Sequence, residues 1–317
     1  MHIAIYLPLV IPLFAAVTAR ALADRLPPTA ATWLLAASAL ALALASSAVL
    51  GLLALSALIR LPAVDALGHL SRSAVARGDV VSDPVAIAAG ALLAVAATAA
   101  GRAAWRRAAA IARAHRHARR LPGAGEVVVT NDAAADAYTV PGWPCRIVIT
   151  QGMLQALSVR ERGVLLAHER THARNSHYLF TSVARLAAAA NPLLRPVAAE
   201  VGYSVERWAD ERAAAEAGDR ALAARAIAHA ALASSAAPPD RDPGALTELG
   251  LITPERKGGK KVGPVPRRVA ALLAPPPGLS PLLIGAAVVL VAVSGASALE
   301  AARNLHQLIE LAQGQSA

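Results

Sequence analysis

The stretch that decides the fold is Ser158-Val159-Arg160-Glu161-Arg162-Gly163-Val164-Leu165-Leu166-Ala167-His168-Glu169-Arg170-Thr171-His172. Ser158 and Glu161 have the spacing of a capping box, and Val164, Leu165 and Leu166 give the segment an apolar side, so it reads as a helix that starts at Ser158. His168 and His172 are four residues apart and share one helix face. Two imidazoles so placed can hold one zinc ion, with Glu169 within reach of a water molecule on it. The chemistry this pattern points to is hydrolysis of a peptide bond.

A bare H-E-x-x-H arises easily by chance, so the reading needs a third ligand on a second helix. After Asn191-Pro192, residues from about Val197 to Ala217 form a helical segment containing Glu206-Arg207-Trp208-Ala209-Asp210-Glu211. Glu206 and Asp210 lie one turn apart. One carboxylate can complete the ligand set while the other orients a ligand histidine from behind.

Composition places this motif in a membrane protein. Of 317 residues, 56% are hydrophobic and only 16% charged, more apolar than a soluble domain of this length requires. The formal charge of +10 would suit a nucleic-acid surface. The arginines, however, flank apolar segments and lack a recognition helix, zinc-finger framework or aromatic stacking platform, so no direct nucleic-acid partner is expected. The single cysteine, Cys145, excludes an intramolecular disulfide framework and a four-cysteine zinc site.

Four apolar segments are long enough to span a bilayer: about Ile3–Ala21, Ala30–Ile59, Pro84–Ala100 with flanking residues to Ala104, and Leu279–Leu299. The third is followed by Arg102, Arg106, Arg107, Arg113, Arg116, Arg119 and Arg120 with no acid among them, which favours the cytoplasm. Arg256, Lys257, Lys260, Lys261, Arg267 and Arg268 precede the fourth and support the same side. Both termini and the segment from Arg60 to Asp83 are then expected outside, with the central region inside. Arg102–Arg120 also reads as an interfacial helix, with Trp105 and the alanines as its apolar background.

In the central region, Val127–Val129, Tyr138–Val140 and Arg146–Ile149 are strand candidates, and Gly142-Trp143-Pro144 a turn. They form a small sheet packed on the zinc helices, with an edge that could hold an extended peptide. The motif helix is expected to continue past His177 to Ala190. Further helices are expected at Arg220 to about Ser235 and at Arg267–Leu273, with Ser234–Pro266 between them weakly structured. The resulting organisation is residues 1–104 as a membrane region of three spans, 105–277 as the metallopeptidase domain, and 278–317 as the fourth span and a short tail.

His168-Glu169-Arg170-Thr171-His172, Glu206-Arg207-Trp208-Ala209-Asp210 and the intervening Asn191-Pro192-Leu193 together resemble the membrane-bound peptidase family M56, and more distantly the M48 zinc peptidases. The resemblance covers roughly residues 1–299. It implies a mainly alpha-helical integral membrane protein with a cytoplasmic alpha+beta zincin-like domain, acting as a zinc metalloendopeptidase. His168, His172 and Glu206 are then the implied zinc ligands, Glu169 the general base and later proton donor, and Asp210 the group behind a ligand. The implied partners are the lipid bilayer and a protein or peptide substrate, with a cytoplasmic transcriptional repressor as one such substrate. The tail from Ala301 to Ala317 is too short for the penicillin-binding sensor carried by some M56 members, so direct beta-lactam recognition is not expected.

The runner-up reading is a non-enzymatic membrane signalling or scaffold protein. A transporter fits less well, because the candidate ligands cluster outside the apolar spans. His177, Tyr203 and His229 are weaker candidates for contacting substrate or an oxyanion. Packing or surface roles are expected of them, and helix packing of Arg207 and Trp208.

Overall fold

The computed structural model describes residues 4–58, 82–123, 125–142, 145–236 and 264–314. Four helices are long and apolar enough to cross a membrane: α1 (Leu7–Arg25), α2 (Pro28–Leu58), α3 (Asp83–Arg120) and a last helix over Pro281–Gly314. Each coincides with an expected span. Most of Arg60–Asp83 and of Ser234–Pro266, the basic residues Arg256 to Lys261, and Trp143-Pro144 lie outside the described residues.

Two expectations about helix ends are corrected. Arg102–Arg120 is no separate interfacial helix but the continuation of α3. Its 38 residues correspond to about 57 Å, far longer than a bilayer core of about 30 Å. Ala110, Ala114 and Ala118, one turn apart, are buried against the sheet, which holds this basic half in the protein interior on one side. Arg107 is buried too, donating to Ser182 Oγ at 2.8 Å, so it does not lie free at a membrane surface. The last helix likewise runs past Leu299 to Gly314.

Pro12 lies inside α1 and has no N–H, which orphans the carbonyl of Pro8 one turn earlier. Ser46 on α2 donates to that carbonyl at 2.7 Å, and Asn191 donates to Ser46 Oγ at 3.1 Å. A polar chain therefore ties Asn191, in the turn that leads into the helix carrying the second motif, to the α1–α2 hairpin.

The sheet contains β1 (Val127–Thr130), β2 (Ala137–Val140) and β3 (Arg146–Thr150), in the order β1-β3-β2. Central β3 is parallel to β1 and antiparallel to β2. Its five residues are all buried, as the run Arg-Ile-Val-Ile-Thr suggests for a strand covered on both faces. Arg146 tolerates this by donating to the carbonyls of Leu121, Pro122, Gly123 and Gly125. Thr150 caps the short helix α4 (Gln151–Ala156) and also bonds the backbone of Asp136. Gly152 passes so close to Ala133 that a Cβ would lie 2.0 Å from its carbonyl oxygen, hence the glycine.

Helix α5 (Val159–Arg174) begins with the expected capping box, Ser158 and Glu161 bonding each other's backbone N–H. It does not run on to Ala190. Ser176 adopts a left-handed conformation (φ 49°), and α6 (His177–Ala190) starts a new direction. Asn191 ends α6 and caps a single 3-10 turn, Pro192–Leu194, after which α7 (Arg195–Ala217) carries the second motif. Helix α8 (Arg220–Ser235) is capped by Asp219, and α9 (Pro264–Leu273) leads toward the last helix, α10 (Pro281–Gly314).

The largest core cluster joins α1 and α2 to α6 and α7, with Leu22, Leu35 and Leu42 packed among Ala184, Leu194, Val197 and Val201. The second motif helix is thus seated directly on two of the candidate spans. Arg207 of α7 reinforces this by donating to the carbonyl of Ala23 near the end of α1.

Candidate metal centre

Helices α5 and α7 bring His168, His172 and Glu206 together, with one ligand atom of each within 4.8 Å of the others. The two Nε2 atoms are 3.1 Å apart, and each lies 3.6 Å from a carboxylate oxygen of Glu206. Donors about 2.0–2.1 Å from a tetrahedral zinc ion stand about 3.3 Å from one another. The triangle fits that ion, and its two-histidine, one-carboxylate donor set leaves a coordination position free.

The groups behind the triangle fix how its imidazoles are turned. Asp210 Oδ1 lies 3.0 Å from His168 Nδ1, which aims Nε2 at the other ligands. His172 is served differently, since its Nδ1 lies 3.0 Å from Nδ1 of His177. His177 is only 1% exposed and packs its ring on Trp208 at 4.7 Å between centroids. Burial, then the neighbouring His172, pushes its pKa down to about 3, so it faces His172 as a neutral imidazole.

Arg268, on α9, closes the network. Its Nε and one terminal nitrogen donate to the two oxygens of Asp210 at 2.7 and 2.6 Å, and the other terminal nitrogen lies 2.9 Å from Glu206 Oε2. Burial alone would raise both carboxyls, but Arg268 and the histidines hold Glu206 well below the ordinary range and Asp210 below it. Burial alone would lower His168, but Asp210 and Glu206 outweigh it and raise its pKa to about 10. In the metal-free protein His168 is therefore an imidazolium between two carboxylates. Burial lowers His172, which stays neutral.

Glu169 is buried beside the triangle. Thr139, on β2, donates to its Oε2 at 2.8 Å and lies 3.0 Å from its backbone carbonyl. One carboxylate oxygen is thereby held while the other is left for a reacting proton. Strand alternation in Tyr138-Thr139-Val140 could have marked Thr139 as an inward position, although the sequence did not say which strand meets the motif helix.

All five residues of the two motifs converge. The weaker candidates separate: His229 bonds Glu161 Oε1 at 2.7 Å, Tyr203 lies 3.6 Å beneath the Arg267 guanidinium, and His177 supports a ligand instead of facing the cleft. Expecting Arg267 and Arg268 to be free membrane-flanking charges is corrected as well. Arg267 bridges Asp24 and Glu200, while Arg268 is built into the centre, because α9 folds back across α7 before α10 begins.

Residues 100–201 match the model of Peptidase family M48. The match supports a zinc metallopeptidase family and peptidase activity. It covers the end of α3, the sheet, α4 to α6 and the start of α7, and stops before Glu206 and Asp210. No curated protein and no solved structure matches the chain.

Proposed function

We propose that the chain is an integral-membrane, zinc-dependent metalloendopeptidase that cleaves protein substrates. The observation that carries this reading is the triangle of His168, His172 and Glu206 with the carboxylate of Glu169 beside it. Bound there, zinc would supply Lewis-acid polarisation of the scissile carbonyl and of a water molecule. Glu169, with Oε2 occupied by Thr139, accepts the water's proton on its other oxygen and returns it to the leaving amine. Asp210 and His177 hold the two imidazoles, and Arg268 keeps Glu206 and Asp210 ionised.

Within the zinc peptidases we place the chain nearer M56, on its four candidate spans and paired motifs; that resemblance implies regulated cleavage of a cytoplasmic transcriptional repressor, and membrane-protein quality control is compatible with the same site. The run of arginines after the apolar half of α3 supports a cytoplasmic catalytic region with both termini outside. Probes placed at Gly125 and at either terminus test this in intact cells. External labelling at Gly125 reverses the topology. Activity is tested by stripping metal from the purified protein with a chelator and restoring zinc. Cleavage of an unfolded protein substrate is lost and regained if the reading holds, whereas equal cleavage with and without metal overturns it.

A further inference from the structure

A cavity of about 150 Å³ opens directly beside the metal centre, with His168 and Glu169 in its wall. Helix α8 supplies Ala226, Ile227, Ala230 and Ala231 on one side, and α5 supplies Val164 and Leu165 on the other. None of these residues takes part in the chemistry proposed above. We infer that this cavity is a specificity pocket for a leucine- or phenylalanine-sized side chain next to the scissile bond, a conclusion that rests on the peptidase reading.

Three observations select that occupant. First, an apolar cavity of about 150 Å³ is large enough to hold benzene, so an isobutyl or benzyl group fits while an indole is crowded. Second, the charges near the pocket disfavour ionised side chains. Arg268 also lines it, but each of its three nitrogens already faces Asp210 or Glu206, whose two carboxylates outnumber its single charge, and an acidic group would also meet Glu169. A basic side chain would have to desolvate its charge against alanine, valine and isoleucine. Third, the pocket is continuous with a strand edge. Ala137, the first residue of β2, lines it, and among the described residues β2 pairs only with β3. A peptide extended along that edge would send alternate side chains toward the cavity.

Peptidyl hydroxamates that differ only in the side chain beside the chelating group provide the test, with glycine, leucine, phenylalanine and aspartate versions titrated into the full-length, zinc-loaded protein in detergent. Leucine and phenylalanine are expected to bind about 10- to 100-fold tighter than glycine, from the burial of one apolar side chain, and aspartate no tighter than glycine. Ala231→Phe fills the cavity and should abolish the leucine advantage while leaving the glycine compound and zinc content unchanged. Ile227→Ala enlarges it and should move the optimum from leucine to phenylalanine, which keeps the test decisive if Ala231→Phe does not fold. Equal binding of glycine and leucine, tighter binding of aspartate, or indifference to both substitutions overturns the pocket. Failure of the peptidase reading looks different: the hydroxamates keep their ranking, but wild-type protein cleaves no leucine-containing peptide.

Discussion

Arg267 and Arg268 are neighbours on one helix, yet replacing each with methionine should have very different consequences. Methionine keeps an unbranched apolar stem in place of arginine's and removes only the charge and its donors. Arg268 is 12% exposed and its main partner, Asp210, is 1% exposed, so the substitution leaves the buried Asp210 and the partly buried Glu206 with only the His168 imidazolium between them. Removing one partner of a buried ion pair costs about 3–5 kcal/mol, because the remaining charge keeps its desolvation penalty. Arg267, 21% exposed, instead bridges Asp24, which is 42% exposed, and Glu200, which is 16% exposed; the exposed Asp24 pair contributes about 1 kcal/mol or less, and the loss of Arg267 leaves no carboxylate as deeply buried as Asp210. Chemical unfolding of metal-free wild type, Arg267→Met and Arg268→Met in one detergent compares the three. The expected order is a small loss for Arg267→Met and a loss several times larger for Arg268→Met. Equal stability of the two variants would refute the burial argument and with it the assignment of Arg268 to the centre.

Two further outcomes follow from the groups behind the ligands. His168 titrates near 10 in the folded metal-free protein against an ordinary 6.5, because Asp210 and Glu206 outweigh burial. Its contribution to stability is therefore complete below pH 6.5 and disappears as the pH rises through 10, a loss on the order of 5 kcal/mol that unfolding curves across that window should show. Zinc-loaded protein should lack this window, since a ligating nitrogen carries no proton, and a flat metal-free profile from pH 6.5 to 10 would contradict the pairing. His177→Phe preserves the ring against Trp208 but removes the nitrogen facing His172. Zinc should bind it about 10- to 100-fold more weakly, with an altered visible spectrum of the cobalt-substituted centre. Wild-type affinity and spectrum would leave His177 a packing residue only.

Much of the chain was legible because its signals are local. Hydrophobic runs located four long helices, the Ser158–Glu161 box located the start of α5, and Asp219 and Ser235 bracket an α8 close to the expected segment. The pairing of His168, His172, Glu206 and Asp210 could be anticipated because helical spacing fixes which residues share a face. What escaped was set by contacts between distant segments. Ser176 carries no glycine to announce a left-handed turn, so the break that points His177 back at His172 left no mark on the periodicity. Arg268 looked like one more charge ahead of a span, and only the packing of α9 over α7 carries it to Asp210, 58 residues away in sequence. Thr139 depended in the same way on β2, and not β1, being the strand that meets α5.

The central claim, that Glu169 moves the proton in a zinc-dependent hydrolysis, is tested most directly by Glu169→Gln. The amide has nearly the carboxylate's shape, can still accept the Thr139 hydrogen bond and leaves His168, His172 and Glu206 in place. Zinc content and single-turnover cleavage of a protein substrate should be measured on the same detergent-solubilised preparation, beside wild type. The account predicts zinc at wild-type stoichiometry with cleavage slowed by at least about 10²- to 10⁴-fold. Cleavage at the wild-type rate by zinc-loaded Glu169→Gln would contradict it.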